Sequence, residues 1–155
     1  MSFQRLIDHL NSHQAKFSLE THSKAFTALE VAERTHVHGL NMGKVVVLVC
    51  DGCLRLCLLP AHYYVNCASF AEEIGVSDVR LAQEREFSDH FPQCELGAIP
   101  PFSELWEMPI YMSFAFDISQ DLVFNAGSWT EIARMSCNEY IRVEEPKIIS
   151  KGAMP

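Results

Sequence analysis

The chain has 155 residues, and 48% of them are hydrophobic, which is enough to form the core of one domain spanning residues 1–155. With 20 acidic and 12 basic residues, its formal net charge is −8. This acidity argues against DNA-binding proteins and others that hold nucleic acid mainly by its phosphates, but it permits a pocket that receives a single-stranded RNA end.

The N-terminal segment and the apolar runs point to a cytoplasmic protein. Arg5, Asp8 and several amides interrupt residues 1–15, so no signal peptide is predicted there. The longest strongly apolar run, Val45–Cys50, is too short to span a bilayer. We therefore expect no association with membranes, and we expect the six cysteines to be reduced.

The first half of the chain contains a clear β-hairpin signal. Before it, apolar periodicity predicts a helix at 2–14, a short strand at 16–21 and a second helix at 25–36. Asp51-Gly52 then separates the apolar runs Val45–Cys50 and Cys53–Leu59, as in a tight hairpin. Because both runs are apolar at nearly every position, we expect this hairpin to lie centrally in a sheet that is covered on both faces.

The second half of the chain alternates between shorter elements. Helices are predicted at 68–74 and 78–90, and strands at 110–118, 122–125 and 130–135. Ser136 and Glu139 form a capping box for a final helix, and the tail after Pro146 is expected to be loose. Together these elements predict a mixed α/β fold, in which helices flank a curved mixed β-sheet or an open barrel.

The most informative stretch is the loop Gly97–Phe102, whose sequence is Gly-Ala-Ile-Pro-Pro-Phe. Its two prolines fix φ and donate no N–H, while Gly97 tolerates a positive φ. We expect the N–H groups of Gly97, Ala98 and Ile99 to be free, and a stiff loop with free donors can hold a ligand or a developing oxyanion. The alternative, which the loop alone favours, is an ordinary rigid turn.

Two further segments carry side chains that suit a binding pocket. Lys44 opens an otherwise apolar strand, where its amine could meet a phosphate or a carboxylate. A lysine that simply extends into water is the alternative there. Asn125–Ser128 ends a strand with small residues and offers an amide and a hydroxyl, although a polar turn has the same composition.

Metal and covalent chemistry find weaker support in the sequence. Cys50 and Cys53 have Cys-x-x-Cys spacing but lack a second ligand pair, and they flank a β-turn instead of opening a helix as a redox pair does. His36 and His38, with His22 upstream, are interpreted as residues at a helix boundary. No metal site is predicted, and the sequence shows no Ser-His-Asp order, nucleophile elbow or phosphate-binding loop.

Taken in order, the motifs resemble the YbaK-like, prolyl-tRNA-synthetase-associated editing domains over about residues 16–146. The most specific part is Phe91-Pro92 with Cys94, followed by the Gly97–Phe102 loop. The other matching segments are weak singly but stand in the same order: His22 with 28–33, 43–47, 58–61, 81–84 and 125–127.

The resemblance implies an aminoacyl-tRNA deacylase that acts in trans, without a cofactor, on the ester of a mischarged tRNA. It implies that the backbone of Gly97, Ala98 and Ile99 and the side chain of Lys44 position the ester. The substrate-binding residues that it implies are His22, Pro100, Asn125, Gly127 and Ser128. The implied partner is the acceptor end of an aminoacyl-tRNA, with a synthetase as a second candidate.

Three departures from the family pattern keep alternatives open. Ser103 stands where a glycine is common, Ser113 where an aspartate is common, and Trp129 where many members carry a polar or ionisable residue. Ser113 and Trp129 suggest a non-catalytic member that binds a small ligand or a protein. A metal or redox protein that uses Cys50 and Cys53 is a third hypothesis. Neither the amino acid removed nor the oligomeric state follows from the sequence.

Overall fold

The structure is a computed structural model that describes residues 3–22, 32, 35 and 41–155. Its elements in chain order are α1 (Gln4–Ser12), β1 (Ser18–Thr21), β2 (Gly43–Cys50), β3 (Cys53–Pro60), β4 (Tyr64–Val65), α2 (Cys67–Ile74), β5 (Val79–Leu81), α3 (Glu84–Phe87), a 3₁₀ turn (Ser88–His90), α4 (Ser103–Trp106), β6 (Ile110–Ser113), β7 (Asp121–Ser128), β8 (Glu131–Ser136), α5 (Cys137–Glu144), β9 (Lys147–Ile149) and β10 (Ala153–Met154). The predicted helix at 25–36 and the residues His36 and His38 lie outside the described residues, except for Ala32 and Thr35. None of the described helices is both long and apolar enough to cross a membrane.

The predicted hairpin forms the centre of a five-stranded mixed sheet with the order β5-β2-β3-β6-β9. Asp51 and Gly52 have φ angles of 46° and 84°, which is the type I′ turn that an Asp-Gly pair favours. β2 is antiparallel to β3 and β5, whereas the β3–β6 and β6–β9 pairs are parallel. The main core with α1, α4 and α5 covers one face, and a second cluster around Phe70 of α2 covers the other. The predicted central, doubly covered hairpin is thus confirmed.

A second, three-stranded antiparallel sheet with the order β1-β8-β7 meets the central sheet at one corner. There Met42 forms a parallel bridge with Val123, and the Val123 N–H donates to the Asn41 carbonyl at 3.1 Å. Gly43 permits close packing at this corner, because a Cβ there would lie 2.7 Å from Leu58 Cδ1 and would force that side chain to shift. The described strands form sheets joined at this corner and no closed barrel. The mixed α/β prediction is confirmed.

Two predicted elements are wrong in extent. Residues 78–90 form β5, α3 and the 3₁₀ turn in place of one helix. β5 pairs with β2 and buries Val79, and α3 begins afresh at a capping box on Gln83. The strand predicted at 110–118 ends at Ser113, where the side-chain Oγ accepts the N–H two residues later at 3.2 Å and turns the chain. Strand pairing overrides the apolar spacing in the first case, and a local side-chain hydrogen bond overrides it in the second.

The tail after Pro146 is predicted to be loose, and this prediction is wrong. β9 pairs with β6, and β10 pairs with β4. Ile149 and Ala153 are 2% and 6% exposed. The carboxylate of Glu73 in α2 accepts three consecutive backbone N–H groups, those of residues 150–152. Apolar burial and these hydrogen bonds together order the segment.

Candidate active site

Lys44 lies at the corner where the two sheets meet. It is the second residue of β2, pairs with Leu59 of β3, and has a half-buried side chain. Burial lowers the pKa of its amine below the usual value. No carboxylate of the described residues is within ion-pair distance of it. A partly dehydrated amine without an acidic partner is suited to bind a phosphate or the carbonyl oxygen of an ester.

Asn125 is a buried polar residue near the same corner. Met42 and Val123 form a parallel bridge, Lys44 lies two residues after Met42, and Asn125 lies two residues after Val123. Because side chains alternate along a strand, Lys44 and Asn125 point to the same side of their strands as the bridged residues. Asn125 is 4% exposed, and its Oδ1 has no hydrogen-bond partner among the described residues. Because buried polar atoms nearly always have a partner, this oxygen suits a donor that arrives with a ligand.

The Gly97–Phe102 loop is docked on β7. The Glu95 N–H donates to the Gly127 carbonyl at 2.8 Å, and the Gly127 N–H donates to the Ala98 carbonyl at 2.9 Å. β7 is irregular between Asn125 and Ser128, and Gly127 has a φ of 98°. Such a bulge releases backbone groups from the strand ladder, so they can bond the loop. The structure therefore brings the predicted loop and the predicted Asn125–Ser128 segment together.

Core side chains hold the loop from beneath. The Trp106 Nε1–H donates to the Pro100 carbonyl at 3.0 Å, and the Tyr140 hydroxyl donates to the Pro101 carbonyl at 2.6 Å. Ala98 and Ile99 are 0% and 3% exposed, and Pro100 is buried as well. The side chains of this part of the loop therefore belong to the core, and its chemistry rests with the backbone.

The backbone donors of the loop differ from the prediction at one position. The Ala98 N–H donates to the Glu95 carbonyl at 3.0 Å, so the prediction of a free N–H is wrong there. The N–H groups of Gly97 and Ile99 have no acceptor among the described residues. Gly97 is exposed and has a φ of 87°. These two N–H groups remain the candidate donors to an oxyanion.

The Trp129 ring contacts Gly97, and the sequence reasoning missed this contact. A Cβ added at Gly97 would lie 2.3 Å from Trp129 Cη2 and 2.8 Å from its Cζ2, so any larger residue would force the ring to move. The Trp129 N–H also donates to Glu95 Oε1 at 3.3 Å. The one available signal was the departure of Trp129 from the family pattern, which does not by itself name the contact.

His22 and Ser128 lie at the same end of the three-stranded sheet. The His22 N–H donates to the Thr130 carbonyl at 2.9 Å, and Ser128 Oγ is 3.3 Å from Thr130 Oγ1. The next residue, Glu131, is 3% exposed, and the sequence reasoning also missed it. A carboxylate directly before the apolar pair Ile132-Ala133 is the signal that could have found it.

The cysteines contribute little to this site. Cys94 contacts the loop, with its Sγ 3.6 Å from the Ala98 carbonyl oxygen, but burial raises the pKa of its thiol to about 12. It is therefore protonated and a poor nucleophile. Cys50 is buried and Cys53 is exposed, and neither belongs to the cluster of potential metal ligands found among the described residues. The metal or redox hypothesis for this pair gains no support.

The site thus offers a half-buried amine, an unpartnered amide oxygen and two backbone N–H groups on a rigid loop. Such groups can hold a polar substrate and stabilise negative charge on its carbonyl oxygen.

Comparison with known proteins places the chain in a family. The model of the aminoacyl-tRNA editing domain matches residues 22–143. The multifunctional Ser/Thr-tRNA deacylase ProXp-y of Escherichia coli strain K12 is 27% identical over 158 residues, which covers 97% of this chain and 92% of that protein.

Solved structures show the same fold at low sequence identity. The crystal structure of a hypothetical protein has a TM-score of 0.84 at 15% identity, covering 97% of this chain and 99% of that one. A proposed trans-editing enzyme for prolyl-tRNA synthetase has a TM-score of 0.78 at 16% identity, covering 95% and 94%. The predicted activity class, hydrolysis of an aminoacyl-tRNA ester, is confirmed by the family match and the relative. The chain belongs to the aminoacyl-tRNA editing domain family, as its motifs predicted.

Proposed function

We propose that this chain removes serine or threonine from mischarged tRNA in trans, using the corner formed by β2, β7 and the Gly97–Phe102 loop. The observation that carries the proposal is the docking of the loop on β7, through the bonds of Gly127 to Glu95 and Ala98, beside Asn125. The choice of amino acid rests on the E. coli relative, which is named as a Ser/Thr-tRNA deacylase.

In this mechanism the loop backbone stabilises the transition state. Water attacks the ester carbonyl, and the oxyanion accepts hydrogen bonds from the N–H groups of Gly97 and Ile99. The C–O bond to the ribose then breaks, and the products are the free amino acid and a tRNA with its terminal hydroxyl restored. An aminoacyl ester is already activated, so positioned water suffices without a side-chain nucleophile.

The two polar side chains would orient the substrate. Lys44 would bind the terminal phosphate or the ester oxygen with its amine. Asn125 Oδ1, which lacks a protein partner among the described residues, would accept from the α-ammonium group of the amino acid. His22, Pro100, Gly127 and Ser128 would complete the binding surface.

Deacylation of a panel of charged tRNAs tests the role of Lys44. Seryl-, threonyl-, alanyl- and cysteinyl-tRNA should be compared, and Lys44→Ala should slow the hydrolysis of the preferred one by about 100-fold or more. Lys147→Ala removes an exposed lysine of β9 and should leave the rate unchanged. Hydrolysis by Lys44→Ala at the wild-type rate would contradict the assignment.

A second variant tests whether the uncharged side chain of Asn125 binds the substrate. Asn125→Ala should raise KM for charged tRNA, and its loss of unfolding free energy should be limited to lost packing, because its Oδ1 has no protein hydrogen bond among the described residues to lose. Asn138→Ala on the exposed side of α5 is the matched control. A large loss of stability with an unchanged KM would assign Asn125 to the fold alone.

Delivery of the tRNA is a separate part of the proposal. With a net charge of −8, the chain has little electrostatic attraction for tRNA phosphates. We therefore expect a cytoplasmic enzyme that receives only the acceptor end, with a synthetase as its supplier. The structural neighbour described for prolyl-tRNA synthetase makes that enzyme the first to test. A pull-down at low salt that retains neither synthetase nor tRNA would count against this part.

The placement of Trp129 favours one alternative, a member that binds but does not hydrolyse. Its ring contacts Gly97, which carries one of the two candidate oxyanion donors. If no tRNA of the panel is hydrolysed while Trp129→Ala gains activity, the wild-type chain is a binding protein. Hydrolysis by the wild type excludes this alternative.

A further inference from the structure

A cluster of possible metal ligands lies where α1 meets α4. His9 and His13 are separated by one helical turn on α1, and Glu104 lies in the first turn of α4. Glu104 Oε2 is 3.3 Å from His9 Nδ1 and 3.6 Å from His13 Nε2. All three ligand atoms lie within 4.8 Å of one another. Neither the proposed deacylation nor the cysteine motif uses this cluster.

The spacing of these atoms fits tetrahedral coordination. Two ligands that each lie about 2.05 Å from a zinc ion, at the tetrahedral angle, are about 3.3 Å apart. Both distances to the Glu104 oxygen are close to this value. The remaining His–His separation can adjust by rotation of the His13 side chain, which is 37% exposed.

The donor set also selects among metals. Two imidazole nitrogens and one carboxylate oxygen suit zinc and its neighbours in the transition series, whereas calcium and magnesium prefer oxygen alone. Glu104 is 72% exposed, so water can reach the fourth position. His9 is 9% exposed and held against Phe102, with ring centroids 5.3 Å apart, which fixes one ligand in place.

We propose that His9, His13 and Glu104 bind one divalent ion of the zinc class, which joins α1 to α4. The first residue of α4 follows Phe102 directly, and Phe102 ends the Gly97–Phe102 loop. Arg5 of α1 already bonds the Leu105 carbonyl of α4 at 2.5 Å. The ion adds a second tie between these helices and stabilises the segment behind the loop.

Calorimetric titration of chelator-treated protein with zinc chloride tests the site. One zinc ion should bind per chain, and His13→Gln and Glu104→Gln should each weaken binding at least tenfold. Both side chains are solvent-accessible, so the variants are expected to fold. His62→Gln changes an exposed histidine outside the cluster and should bind zinc as the wild type does.

Two further measurements distinguish this site from the cysteines and from simple His–Glu pairing. Cobalt in place of zinc should give visible bands without a thiolate charge-transfer band. Zinc should raise Tm of the wild type but not of either variant. No saturable binding, a thiolate band, or binding that survives both His13→Gln and Glu104→Gln would overturn the proposal. All these readouts are independent of deacylation.

Discussion

At the scale of single residues, Gly97 combines two reasons for being glycine. Its φ of 87° lies in the left-handed region, and its Cα supports the Trp129 ring. Gly52 in the hairpin turn has a similar φ of 84°, but an added Cβ there would meet nothing within 4 Å. Substitutions at the two positions therefore distinguish the cost of backbone strain from the cost of steric contact with Trp129.

Comparing Gly97→Ala with Gly52→Ala measures that difference. Gly52→Ala is expected to lower the unfolding free energy by about 1–2 kcal/mol through φ alone. Gly97→Ala should lower it further, because Trp129 must also move, and should lose most of the deacylation rate. Urea unfolding of both variants is the measurement. Equal losses would show that the Trp129 ring yields without cost.

Some candidate residues of the site are visible in the sequence because they interrupt a local pattern. Lys44 opens an apolar strand, and Asn125 places an amide in another, so each can be predicted from its neighbours alone. The Ala98–Glu95 bond and the Trp129–Gly97 contact could not be predicted in the same way. The Ala98–Glu95 bond is a turn bond between residues three apart, and its formation depends on the exact conformation of the loop. The Trp129–Gly97 contact depends on the docking of the loop on β7, which brings together segments that are far apart in the chain.

At the scale of elements, α5 and α4 are joined by Glu144. Its carboxylate accepts the Ser103 N–H and, at 3.0 Å, the Ser103 hydroxyl, so it caps the first turn of α4. Burial raises the pKa of Glu144 to about 7 against the opposing effect of these hydrogen bonds. The group that caps the helix after the loop therefore titrates near neutral pH.

The raised pKa predicts a direction for stability against pH. The folded state holds the Glu144 proton more tightly than the unfolded state, whose pKa is about 4.5. The contribution of protonated Glu144 to the unfolding free energy is complete below about pH 4.5 and is lost as the pH rises towards about 7. Glu144→Gln keeps an oxygen for the Ser103 N–H without a charge. Its unfolding free energy should exceed that of the wild type by about 1–2 kcal/mol at high pH and match it at low pH.

Urea unfolding of Glu144→Gln on both sides of neutrality checks this expectation. Glu145→Gln, one residue later and exposed, is the control and should follow the wild type. A constant difference between Glu144→Gln and the wild type at all pH values would mean that the carboxyl group does not titrate as described.

Elements were predictable where local signals agreed. The Asp51-Gly52 turn and its apolar arms specify the hairpin without reference to the rest of the chain. Residues 78–90 have spacing compatible with a helix, but pairing with β2 makes Val79–Leu81 a strand. That choice depends on a sheet edge that periodicity does not reveal.

At the scale of the whole molecule, Glu73 joins α2 to the C-terminal segment. Its carboxylate accepts the N–H groups of Ser150, Lys151 and Gly152, at 2.6, 2.9 and 2.8 Å. Burial by itself raises the pKa of Glu73, but these hydrogen bonds together hold it below its usual value. The contact is therefore present above the usual pKa of a glutamate and is lost as the pH falls through the lowered pKa.

Removing this carboxylate should release the tail. In Glu73→Ala, residues 147–154 are expected to become the first site of limited proteolysis, because their backbone N–H groups lose their acceptor. Glu72→Ala changes the exposed neighbour and should leave cleavage as in the wild type. Protection of the tail in Glu73→Ala would show that strands β9 and β10 hold it unaided.

The hydrogen bonds that hold the Gly97–Phe102 loop to the core have a consequence for substrate selectivity. Because Trp106 and Tyr140 bond the Pro100 and Pro101 carbonyls to the core, closing the loop around a ligand would have to break these hydrogen bonds. A pocket wall that does not move excludes amino acids that are too large for the pocket, and it cannot use induced fit to select among smaller ones. Under the proposed removal of serine and threonine, errors would fall on amino acids smaller than these two, so the correctly charged tRNAs at risk would be those that carry glycine and alanine.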